Sequence, residues 1–151
     1  MGACMAKFRQ QCCAFGLSLL MLLCDGASAT AAELVVIVSA RSPVVALTSE
    51  QVADIFLART ARLPGGDEVQ ALDLPVGHAL HDEFYARVAG KSPALMKAYW
   101  TRMVFTGRGQ PPRELSSMAA IRKLVADNPS TIAYLERSAL DASVKAVLVL
   151  R

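Results

Sequence analysis

The chain has 151 residues, 54% apolar and 19% charged, with a formal net charge of +3. That length and composition suit one domain with a packed core and exclude an intrinsically disordered chain. Lys7 and Arg9 supply two of the positive charges, and the remaining charges are mixed along the chain, which excludes the like-signed runs of a nucleic-acid or polybasic membrane surface.

Residues 1–31 read as a secretory signal peptide. Lys7 and Arg9 give it a positive start, and CCAFGLSLLMLLC, residues 12–24, is its apolar stretch. That stretch is shorter than the roughly 20 residues that span a bilayer, so no membrane span is expected after cleavage. ASA at 27–29 and ATA at 29–31 both have the small-x-small cleavage pattern. Leu23 is large where a lipoprotein signal has a small residue before its cysteine, which speaks against lipidation at Cys24. Cys4, Cys12, Cys13 and Cys24 all lie in this leader. The domain expected over residues 32–151 therefore has no disulfide, no thiolate nucleophile and no cysteine-ligated metal.

In the expected domain, ELVVIVSA (residues 33–40) is a continuous apolar, mostly β-branched run, as in a buried strand of a parallel or mixed sheet. Thr48 with Gln51 three residues later forms a capping box, and Val52, Ile55, Phe56 and Arg59 continue at helical spacing. LPGG at 63–66 is a turn, and residues 68–74 read as a second strand. LDLPVGHALHDEF, residues 72–84, then runs from strand through a glycine turn into a helix closed by Gly90. Ser92 and Pro93 start a third helix, whose apolar face carries Leu95, Met96, Tyr99, Trp100, Met103 and Val104. FTGRGQPP, residues 105–112, is a loop. Ser116 or Ser117 caps a fourth helix, which ends before Asn128-Pro129. Residues 131–135 and 145–150 read as strands, with a short helical turn over 138–142 between them. The class is α/β, with helices covering a sheet that is apolar on both faces.

The stretches ELVVIVSARSPVVALTSEQVADIFLART, FYARVAGKSPALMKAYWTRMVFTGRGQPP and IAYLERSALDASVKAVLVL resemble the phosphate-binding proteins of bacterial ABC uptake systems. The resemblance runs through nearly all of residues 32–151. It implies a single lobe of the periplasmic-binding-protein-like (type II) fold, with a mixed sheet flanked by helices and no enzymatic activity. It also implies phosphate or another oxyanion as ligand, and an ABC transporter or other envelope protein as partner. The full family has two lobes with the ligand between them, and this chain has residues for one, the one resembling the second lobe. In the family, the turn matching residues 72–84 carries Arg, three further residues, then Ser-Gly-Thr. Those positions fall here on Leu74 and on His78, Ala79 and Leu80, so Gly77, His78 and backbone N–H groups are what remains.

Other residues offer a replacement oxyanion site. Ser39 and Arg41 end the first strand, where α/β sheets place ligands, and Arg59 and Thr60 share that edge in a sheet that is parallel there. Arg108 lies between two glycines, where backbone can approach a ligand closely. The candidate anion-binding set is Ser39, Arg41, Gly77, His78 and Arg108, with Arg41 and Arg108 the pair to test. A solvated loop residue or a structural ion pair is the plainer account of each arginine. His78, His81 and Asp82 have metal-ligand spacing on one helical face, but solvated helix residues account for both histidines. Tyr99, Trp100 and Phe105 read as core rather than a stacking platform, and Met96 and Met103 as core rather than a copper site. No nucleophile–base spacing or phosphate-cradling glycine loop supports an enzyme, and no metal or cofactor is implied.

Overall fold

The computed structural model describes residues 33–151, and the expected leader lies outside the described residues. The elements run β1 (Leu34–Ser39), α1 (Ser49–Phe56), β2 (Gln70–Asp73), α2 (Ala79–Ala89), α3 (Pro93–Phe105), β3 (Arg113–Glu114), α4 (Met118–Asp127), β4 (Thr131–Glu136), a 3-10 turn at Arg137–Ala139, and β5 (Val144–Leu150). This is the α/β lobe with a mixed sheet that the sequence leads one to expect.

Cap chemistry sets most helix ends. The Thr48 hydroxyl accepts from the Gln51 N–H at 3.2 Å, and the Thr48 N–H donates to Gln51 Oε1 at 2.9 Å, closing the capping box of α1. Gly90 ends α2 in the left-handed conformation, at φ 61°. Ser92 caps α3 ahead of Pro93, and Ser117 caps α4. Helix α1 stops short of Arg59. Ala58 turns left-handed at φ 52°, its N–H donates to Ile55 O at 3.1 Å, and the Arg59 N–H donates to Asp54 O at 2.8 Å. These two bonds form a Schellman close, which normally has glycine where Ala58 stands. A left-handed L-residue costs about 1 kcal/mol. Ala58→Gly should therefore stabilise the domain by up to about 1 kcal/mol in urea denaturation, offset in part by glycine's greater freedom in the unfolded chain. A net loss of stability would show that Ala58 is not strained.

The five strands are ordered β3-β2-β4-β1-β5. Strand β2 is parallel to β3 and β4, while β1 is antiparallel to both of its neighbours, β4 and β5. Thus β1 alone runs against the other four. All six of its residues are buried, which requires cover on both faces of the sheet. Helices α1 and α2 cover one face through Phe56 and Phe84, which pack on Tyr134 of β4. Helix α4, carrying buried Ile121 and Val125, packs against β1, β4 and β5.

The reversal of β1 decides where candidate residues lie. The C-terminal ends of β2, β3 and β4 form one edge of the sheet. Ser39, at the end of β1, lies at the opposite edge with the starts of β2, β4 and β5. Among the described residues no helix is long and apolar enough to cross a membrane.

Candidate functional site

The edge formed by the ends of β2 and β3 carries a groove of about 650 Å³ beneath α3. Val76, Met96, Trp100, Val104, Phe105 and Pro112 make apolar walls, and Asp73 and His81 lie among its lining residues.

Asp73 ends β2 and is only 3% exposed. Its Oδ1 accepts from the Leu74 N–H at 2.8 Å and from the Tyr134 hydroxyl, and its Oδ2 accepts from the Tyr85 hydroxyl at 2.6 Å. Burial pushes the Asp73 carboxyl above the usual carboxylate range, against the opposing pull of Tyr134, Tyr85 and His81. Burial, followed by the adjacent Asp73 charge, pushes both tyrosine hydroxyls far upward, so each remains a neutral donor.

His81 is 4% exposed, so it is not the solvated helix residue expected from its spacing. Its Nδ1 is 3.0 Å from Asp82 Oδ1. An ionised Asp82 carboxylate only accepts, so in this contact Nδ1 carries a proton and donates. Nε2 is 3.9 Å from Asp73 Oδ2, too far for a hydrogen bond, and has no other hydrogen-bond partner among the described residues. His78 is exposed and acts as the cap of α2, its Nδ1 accepting from the Leu80 N–H at 3.2 Å. Among the described residues no group of three His, Cys, Asp or Glu side chains could hold a metal.

Gly77 has φ 91°, and the His78 N–H donates to Pro75 O at 3.0 Å. Gly77 is thus the third residue of a tight turn that demands positive φ. Leu74 and Leu80, which hold positions where the resembling family carries polar donors, are buried in the core. What this turn still offers an anion is the first turn of α2, where the N–H groups of Ala79 and His81 have no intrachain acceptor among the described residues.

The remaining candidates lie elsewhere. Ser39 is buried at the opposite edge and donates to Ala126 O at 3.2 Å. The Arg41 guanidinium donates to Ala126 O at 3.1 Å and to Asp127 O at 2.9 Å, capping the carbonyl end of α4. Arg59 pairs with Asp54 at 3.1 Å. Arg108 is exposed in the loop after α3, and its flanking glycines have conformational and packing reasons. Gly107 has φ 66°, and a Cβ on Gly109 would lie 3.1 Å from Met103 Cε and 3.3 Å from Ala58 Cβ. The five-residue set is therefore divided between the two sheet edges and this loop. Phe105 does not join the core: it is 92% exposed.

No family model and no curated protein matches the chain. Solved structures do. Over 76% of this chain the fold matches 44% of a protein described as a phosphate ABC transporter substrate-binding protein from Clostridium perfringens, solved with bound phosphate, at 25% identity and a TM-score of 0.60. It also matches 45% of an ABC-type phosphate transport receptor from Vibrio cholerae, at 17% identity and a TM-score of 0.60. The fold is that of one lobe of a phosphate-binding protein. A third match, to PstS from Borrelia burgdorferi, covers 46% of that chain at 10% identity with a TM-score of 0.56. The matched region thus spans less than half the length of each of these three proteins.

Proposed function

We propose that the chain is a non-enzymatic, solute-binding-type lobe that works in the periplasm after removal of residues 1–31, beside an ABC transporter or another envelope protein. The observation that carries this reading is the likeness of fold to phosphate-binding proteins over 76% of the chain. In this reading phosphate or another oxyanion binds weakly at Gly77 and His78, on the free N–H groups of α2. Ser39, Arg41 and Arg108 do not take part. Backbone donors at a helix start attract an anion, but nearby Asp73 and Asp82 repel it, and Leu74 and Leu80 stand where the resembling family carries side-chain donors.

Calorimetric titration with phosphate tests this. The expected dissociation constant is on the order of 1 mM or weaker, unchanged by Arg41→Ala and by Arg108→Ala. Micromolar binding that either substitution abolishes would replace the proposed site with an arginine site. A second reading, an accessory interaction module without a solute, draws on the exposure of Val104 and Phe105 at the groove rim. Heat-silent titrations with phosphate and sulfate, together with co-purification with an envelope complex through that rim, would favour it.

A further inference from the structure

Asp73 and His81 come together in the lining of the groove. Asp73 Oδ2 receives one hydrogen bond, from Tyr85, and keeps acceptor capacity. His81 Nε2 lies 3.9 Å away, on a side chain only 6% exposed, with no hydrogen-bond partner among the described residues, and it accepts when the ring is in its neutral Nδ1–H form. A single ammonium nitrogen can stand about 2.8 Å from both atoms, since they are less than twice that distance apart. Glu114 adds a second carboxylate to the lining, and Trp100 adds an aromatic face that attracts cations. Apart from Lys97 and Thr101 the remaining walls are apolar, as expected of a site that holds an organic body and uses a few polar groups to fix its head.

From this geometry we infer that the groove binds an organic cation, with an ammonium head between Asp73 and His81 and an apolar body against Trp100 and Val104. The inference rests on the solute-binding reading above and names a solute class for it other than an oxyanion. A buried carboxylate repels phosphate and welcomes a donor, so the two ligand classes separate cleanly.

Trp100 is the chain's only tryptophan, so its fluorescence reports on the groove. The purified protein is titrated at pH 8 with 2-phenylethylammonium, and with neutral 2-phenylethanol and anionic 3-phenylpropionate as matched probes. The ammonium probe should perturb Trp100 emission and bind about tenfold or more tightly than either control, as a charge-assisted hydrogen bond predicts. Asp73→Asn should remove that preference. Val104→Arg, which puts a cation on the groove wall and leaves Asp73 intact, should weaken ammonium binding as well, so the test survives if the Asp73 variant folds poorly. Lys97 also lines the groove as a rival cation, so Lys97→Ala should leave ammonium binding unchanged or tighter. Equal binding of the three probes, or no ammonium-dependent change in emission, overturns the inference. Phosphate binding without ammonium binding would sink this inference alone, and ammonium binding without phosphate binding would sink only the oxyanion part of the reading. Silence to both would sink both.

Discussion

Phe84→Ala should lower the unfolding free energy by about 3–5 kcal/mol, the range for removing a fully buried phenyl ring. Phe84 has no exposed surface. Its ring stacks on Tyr134 with centroids 3.9 Å apart and planes 7° from parallel, and meets Phe56 edge-on at 4.7 Å. One side chain thus joins α1, α2 and β4, three elements that are distant in sequence. Truncation leaves a cavity that none of them can fill without moving the others, so relaxation recovers little. Phe84→Leu keeps most of the volume and should cost far less. Urea denaturation distinguishes the cases: the midpoint should fall and the m-value should hold if two-state unfolding is kept. A loss below about 1 kcal/mol for Phe84→Ala would mean that this cluster does not hold the helices to the sheet. Tyr134 also loses the ring behind it, so the variant should loosen the hydroxyl that Tyr134 gives to Asp73.

The same contrast between near and distant contacts explains what can be read from the sequence. Thr48 with Gln51, Gly90, and Ser92 with Pro93 act within one helical turn, so the chain announces them, and each works as a cap in the structure. Strand β1 is legible as buried because all its residues are apolar, but its direction depends on which neighbours it finds. Arg41 therefore follows the end of a strand without reaching the edge that carries the groove. Strand β3 has two residues, Arg113 and Glu114, after a pair of prolines. Pairing with Leu72 and Asp73 holds it, and no local preference marks it. Asp73 carried no clear local signal, since Glu68 and Gln70 are polar in the same predicted strand. Its partners stand 12 and 61 residues away, so the reason it could be buried was not local. Phe105 departs from its expected place in the core for the opposite reason: it has helical spacing, but it is the last residue of α3 and no described residue covers it.

Asp73→Ala should be nearly as damaging as loss of the Phe84 ring, for an electrostatic reason. It strands three donors at once: the hydroxyls of Tyr85 and Tyr134 and the N–H of Leu74. Each buried donor left without an acceptor costs about 1–3 kcal/mol, and because the three share one site the sum is less than additive, so a loss of about 3 kcal/mol is expected. Asp73→Asn keeps an acceptor oxygen and should cost less. The pair also gives the sign of the pH dependence. Burial raises the folded carboxyl pKa above its unfolded value of roughly 3.9. Between those two values the folded state binds more protons than the unfolded state, so the slope of stability against pH is negative there. The contribution of Asp73 is fully present below the unfolded pKa and declines as pH rises through the folded one. Asn at this position cannot titrate. The stability of the wild type minus that of Asp73→Asn should therefore fall as pH rises from about 4 and level off above the folded pKa. A difference that instead grows with pH over the same range would mean that the two tyrosines and Leu74 outweigh desolvation and hold the carboxyl in its charged form.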